Sequence, residues 1–183
     1  MRRGFGRPVR PLRRGLAPDI PPLLRRANQM LSAGNYAEAA SAYEQLARAA
    51  EARGGPRAPF FYIQAGRSQM MGAQTANGLE NIQRGLGLFA MRGQPVKAAN
   101  VGMRVVGELS GRGLKTEAQQ ITAYLKELVP GFGGAVTDPT AGRRPALPTH
   151  CPGCGAPLRP DEVEWVDDVT AACEYCGSPV HEQ

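Results

Sequence analysis

The chain has 183 residues, 42% of them hydrophobic, with one Trp and five each of Phe and Tyr, which suits one ordinary domain, or one with a small module, built from close-packed helices rather than a sandwich or barrel. The formal charge of +6 is segregated: residues 1–26 carry eight Arg against Asp19 alone, whereas residues 145–183 set Arg159 against seven acids, the pattern of a basic arm, a near-neutral body and an acidic module. No run approaches the roughly 18 apolar residues of a membrane span, and the arginine-rich start leads into no apolar signal core, so the expectation is a cytoplasmic protein without membrane contact.

Residues 1–20 mix Arg with Gly and Pro and show no apolar period. Nothing there repays the entropy of ordering, which predicts a basic flexible arm. Pro8, Pro11, Pro18, Pro21 and Pro22 would break the amphipathic helix of an organelle transit peptide. From Pro21 a helix is expected, with Leu23, Leu24, Ala27 and Leu31 on one stripe. Gly34 stops it. A second helix follows, with Asn35 as cap and Glu38 as its capping-box partner, and Ala39, Tyr43, Leu46 and Ala47 inward as far as about Arg53.

Gly54, Gly55 and Pro56 separate that helix from a third, with Phe61, Ala65 and Met70 inward. The cap signal recurs at Asn77 and Glu80 and opens a fourth helix through Leu79, Ile82, Leu86 and Phe89. Gly93 and Pro95 introduce a fifth with Val101, Val105 and Leu109; Gly111 and Gly113 introduce a sixth with Ala118, Ile121, Leu125 and Leu128. The sum is a mainly α fold of six helices in three antiparallel pairs.

Repetition runs beneath these pairs. Gly34-Asn35-Tyr36-Ala37-Glu38-Ala39 matches Gly113-Leu114-Lys115-Thr116-Glu117-Ala118 in its Gly and Glu-Ala positions, with the Asn77 cap between, at spacings of 42 and 37 residues. On Gly34, Tyr36, Ala39 and Tyr43 of the first unit, Tyr62 and Gly66 of the second, and Gly113 and Ala118 of the third, residues 21–130 resemble the tetratricopeptide repeat family. Asn81 stands where that family has a small packing residue, and Thr122 where an aromatic is usual. The resemblance implies an α-solenoid whose helix pairs present a groove to a protein partner.

Residues 131–148, rich in Gly and Pro, read as a linker. Cys151-Pro-Gly-Cys154 and Cys173-Glu-Tyr-Cys176 follow, with 18 residues between the pairs, a spacing that suits four thiolates around one tetrahedral zinc. Two residues between cysteines let one turn supply two ligands, and Gly155 and Gly177 let the backbone turn back toward sulfur. Short strands are expected at Pro157–Arg159, Val163–Val166 and Val169–Ala172, with Asp167-Asp168 as a turn. Residues 149–183 thus look like a rubredoxin-like zinc ribbon. So small a module rarely folds without a metal, a disulfide or a partner. Disulfides do not suit a cytosolic chain, and a redox Cys-x-x-Cys would leave the second pair without a purpose. Iron suits the same ligands, yet lacks the aromatic-rich shell that buries it in rubredoxins. His150 beside the first pair could compete as a ligand, although an exposed linker position is the simpler reading.

Four protein ligands leave no open coordination position, so the metal is expected to be structural. The helices offer no catalytic His, carboxylate pair or phosphate loop, and Asp161, Glu162, Glu164, Asp167 and Asp168 read as a solvated acidic face; no enzyme is expected. Two functions remain: a protein-interaction adaptor acting through the repeats, or association with nucleic acid or the ribosome through Arg2, Arg3, Arg7, Arg10, Arg13 and Arg14.

Overall fold

The computed structural model describes residues 20–129, 131–133, 146–159, 163–166 and 169–181. Over these the chain is mainly helical: α1 (Pro22–Ser32), α2 (Tyr36–Ala52), α3 (Ala58–Met71), α4 (Thr75–Met91), α5 (Pro95–Gly111) and α6 (Lys115–Leu128). A small antiparallel sheet follows, made of β1 (Glu164–Trp165), β2 (Thr170–Ala172) and β3 (Pro179–His181) in that order. The expected basic arm, apart from Ile20, and most of the expected linker lie outside the described residues. No helix among the described residues is long and apolar enough to cross a membrane.

Each helix packs on the next in sequence, and α4 also meets α6. The connections are three residues long, five between α2 and α3, and so short a link leaves room only for a reversal of direction. One device makes all five turns. A residue in the left-handed region stands in each: Gly34 (φ 80°), Gly54 (65°), Ala73 (61°), Gly93 (72°) and Gly113 (83°). The next amide closes back on the carbonyl five residues earlier: Asn35 on Met30, Gln74 on Gln69, Gln94 on Phe89 and Leu114 on Leu109 at 2.9 Å, and Gly55 on Ala50 at 2.7 Å. This is the Schellman closure, which satisfies the last carbonyls of the outgoing helix.

These turns correct three expectations. Asn35 stands at the start of α2, but its side chain makes no cap bond. Asn77 is not a cap, since α4 begins two residues earlier at Thr75. Pro22 rather than Pro21 takes the first helical position of α1. The closure of the preceding helix already turns the chain, so no capping box is needed.

The repeat register moves accordingly. The left-handed residues before α2, α4 and α6 are Gly34, Ala73 and Gly113, 39 and 40 residues apart, and not the 42 and 37 that Asn77 suggested. In this register the small packing residue of the middle unit is Gly78, aligned with the buried Ala39 and Ala118, and Asn81 holds a different position. Gly78 is needed: a methyl there would lie 2.9 Å from the Gly66 carbonyl oxygen, and one on Gly66 would lie 2.6 Å from that of Gly78. The backbones of α3 and α4 touch at this point.

Helix α3 is the centre of the molecule. Twelve of its 14 residues are buried, so it lacks the polar stripe of a surface helix. Helices α2 and α4 cover two of its sides, and the cysteine module covers a third.

Candidate metal centre

Two loops of the same design carry the cysteines. In the first, Gly155 N–H bonds the Cys151 carbonyl and Cys151 N–H bonds that of Ala156, both at 2.8 Å. In the second, Gly177 N–H bonds the Cys173 carbonyl at 2.7 Å and Cys173 N–H bonds that of Ser178 at 2.9 Å. Gly155 and Gly177 have φ of 75° and 76°, the conformation expected of them. The first loop is flanked by a single bridge, His150 to Pro157, and the second by the β2–β3 ladder. The strand expected at Pro157–Arg159 is therefore only that bridge, the hairpin expected over 163–172 is β1 and β2, and β3 is an additional strand.

Facing each other, the loops bring Cys151, Cys154, Cys173 and Cys176 together. All four are buried, and their Sγ atoms lie within 4.8 Å of one another. Cys151 and Cys176 are 3.7 Å apart at sulfur, Cys154 and Cys173 3.9 Å. A tetrahedron of metal–sulfur bonds of about 2.3 Å has edges of about 3.8 Å, whereas a disulfide needs about 2.05 Å. The four thiols are free, and their spacing fits a single tetrahedral ion.

The thiols also perturb one another. Cys151 is drawn down to about 6, chiefly by the hydrogen bond from Cys154, and Cys176 is drawn down by that from Cys151. Cys154 and Cys173 are pushed up, Cys151 being the largest cause in both. Four sulfurs this close cannot all ionise unless a cation offsets their repulsion, and a divalent ion at their centre is the species that does so. The four residues could hold a metal ion.

Neither histidine joins them. His150 is exposed, with Nδ1 3.1 Å from Thr149 Oγ1, and His181 on β3 is exposed, 3.2 Å from Thr170 Oγ1. Asp161, Glu162, Asp167, Asp168 and the side chain of Glu164 lie outside the described residues, as do all six arginines of the expected nucleic-acid arm.

Sequence reasoning missed the seat of these loops. Their cysteines share one core with the helices. The Asn28 amide on α1 donates to the Cys154 carbonyl at 2.6 Å and accepts the Tyr43 hydroxyl of α2; burial pushes the Tyr43 hydroxyl well above its usual range. Tyr175, between the cysteines of the second pair, donates to Gln64 of α3 at 3.2 Å, and its ring lies 6.4 Å from that of Phe60. Its neighbour Glu174, 4% exposed at the side chain, pairs with Lys97 of α5 at 3.1 Å. Burial lifts this carboxyl to about 7 against the pull of Lys97. Farther out, Arg159 and Arg67 both pair with Glu108. Asn28 and Gln64 carried a signal: each is a polar residue on an inward helical face, where burial requires a hydrogen-bond partner.

No protein-family model, curated protein or solved structure matches the chain.

Proposed function

We propose that this chain is a protein-interaction scaffold: tetratricopeptide-like helix pairs stiffened by a structural zinc ion on Cys151, Cys154, Cys173 and Cys176. Zinc has no geometric preference of its own and accepts four thiolates tetrahedrally; iron is the less favoured occupant. Four protein ligands leave no position for water or substrate, so the ion shapes the loops and takes no part in a reaction. Free thiols suit a reducing compartment such as the cytoplasm.

The observation that carries the interaction reading is an open furrow of about 560 Å³ between α2 and α4, floored by Tyr62 and lined mostly by charged and polar side chains. Several of its polar groups are fixed in advance. Glu44 accepts from Gln69 at 2.7 Å and Asn81 at 2.8 Å. Glu51 accepts from Tyr62 at 2.7 Å and Arg84 at 2.9 Å, and the Arg84 guanidinium lies 5.0 Å from the Tyr62 ring centre. Arg48 and Glu80 stand exposed on the rims. Preset charges of both signs select a partner of complementary pattern.

The test is an affinity capture from the native host with the intact chain, the rim variants Arg48→Glu and Glu80→Lys, and a chain lacking residues 1–14. A specific protein should be recovered by the intact and arm-deleted chains and lost from the rim variants. Should binding instead follow the arm, with affinity for generic RNA falling steeply in salt, the nucleic-acid reading replaces this one. Elemental analysis for one zinc per chain tests the metal.

A further inference from the structure

We infer that the metal-loaded ribbon is a cover seated on the face made by α1, α3 and α5, and that loss of the metal opens it. This rests on the reading of the cysteines as a zinc site. Its basis is where the docking contacts arise. Cys154 is at once a ligand and the acceptor for Asn28. Glu174 and Tyr175, which reach Lys97, Gln64 and Phe60, are the two residues between the second pair of ligands. A methyl on Gly153, inside the first pair, would come within 3.0 Å of Ile20. The loop shape that grips the ion is the shape that docks.

Little else holds that shape. Among the described residues, the buried apolar side chains of the ribbon besides the cysteines and Tyr175 are Ala156, Leu158, Ala171 and Val180, too few for an independent core. The helices have a core of their own, with Ile82, Leu86, Ile121 and Leu125 fully buried in α4 and α6. Without the ion the loops lose their form while the helices keep theirs.

The surface beneath is specific. The Lys97 ammonium stands 4.7 Å from the Phe60 ring centre and 5.8 Å from that of Phe89, and Gln64 offers a buried amide. A cation beside aromatic rings and an amide suits a carboxylate carried next to an aromatic ring, the pair that Glu174 and Tyr175 present.

The experiment follows Lys97 in the full chain with an amine-acetylating reagent and mass spectrometry, before and after zinc removal by a chelator. Lys115 and Lys126, exposed on α6, serve as internal controls. Lys97 is 32% exposed at its side chain while paired with Glu174, so removing zinc should speed its labelling roughly threefold as the ion pair and the cover are lost, with the controls and the far-UV helical signal unchanged and zinc re-addition restoring the slower rate. Asn28→Ala, which keeps every ligand and is remote from Lys97 in sequence, should raise the zinc concentration that half-protects Lys97. Unchanged Lys97 labelling in zinc-free protein, loss of the helical signal with the metal, or no shift with Asn28→Ala would each overturn the proposal. A chain purified without stoichiometric metal would overturn the zinc reading instead, and this inference with it.

Discussion

Ala73 stands at φ 61° in a turn where the other four helix connections use glycine. An L-residue in that region costs roughly 1–2 kcal/mol, partly offset by the lower entropy of the unfolded chain. Ala73→Gly should therefore stabilise the protein by about 0.5–1 kcal/mol, and Gly113→Ala should destabilise it by about 1 kcal/mol. Urea denaturation of both variants decides the point, and a destabilising Ala73→Gly would show that the added entropy of the unfolded chain outweighs the strain at this position. Asn28 is the more consequential single residue. Asn28→Ala leaves the Cys154 carbonyl without its partner and takes one of two from the Tyr43 hydroxyl, which Gln64 still bonds, a loss of about 1–3 kcal/mol for the buried carbonyl left unpaired. Asn28→Asp should be worse, because a carboxylate oxygen would face the carbonyl. Asn28 lies on the stripe itself, four residues after Leu24 and three before Leu31 and buried with Leu24 and Ala27, and a reading that counted only apolar residues passed over it.

The helices were legible because each of α2, α4, α5 and α6 buries one stripe, and Tyr43, Leu46, Ile82, Phe89, Val105 and Leu125 are inward as their spacing requires. Helix α3 was legible only as a helix. Phe61, Ala65 and Met70 are buried, but so are Phe60, Tyr62, Ile63 and Gln64, and a helix covered on nearly every side has no period to read. The ligand loops were the clearest feature, as two-residue spacing and the following glycines leave one workable shape. Strand β3 was not legible, because Pro179–His181 is three residues placed by the loop before it. Between α2 and α4, the furrow supplies a prediction about pH. Hydrogen bonding by Tyr62, then by Arg84, holds the Glu51 carboxyl below its usual range. A carboxyl depressed on folding contributes stability above its ordinary value of about 4.3, lost as pH falls through the folded value. Glu51→Gln should therefore cost up to about 1 kcal/mol near pH 7, the ceiling for a solvent-screened pair, and the gap between the two proteins should narrow below about pH 4. Denaturation curves at both pH values check it; a gap constant with pH would mean that Glu51 contributes nothing through its charge. Tyr62, pushed up to about 12 by burial and by Glu51, keeps its proton throughout that range.

For the whole molecule, composition suggested a body and a separate acidic tail joined by a linker, and that picture missed how the tail is seated. Charge segregation measures sequence, while packing brings Lys97, on a helix, against Glu174 in the tail at 3.1 Å. With cysteines and helices in one core, the proposed zinc binding and helix stability are reciprocal: whatever docking adds to the affinity for the ion, the ion adds to the helices. While the ribbon holds its ion only when docked on folded helices, a ligand bound only by that folded state adds about 1.4 kcal/mol for each tenfold rise in its free concentration above Kd. The melting temperature, followed by far-UV circular dichroism in zinc buffers, should climb with free zinc until the ribbon holds its ion even after the helices have melted. Cys154→Ser should flatten that climb, because the oxygen ligand weakens the site at the loop that Asn28 grips. Asn28→Ala should displace the climb to higher zinc without flattening it, since every sulfur is still present. A melting temperature indifferent to zinc in the unmodified chain would mean that the helices draw nothing from the ion, and the contacts of Asn28, Gln64 and Lys97 would then be passive packing.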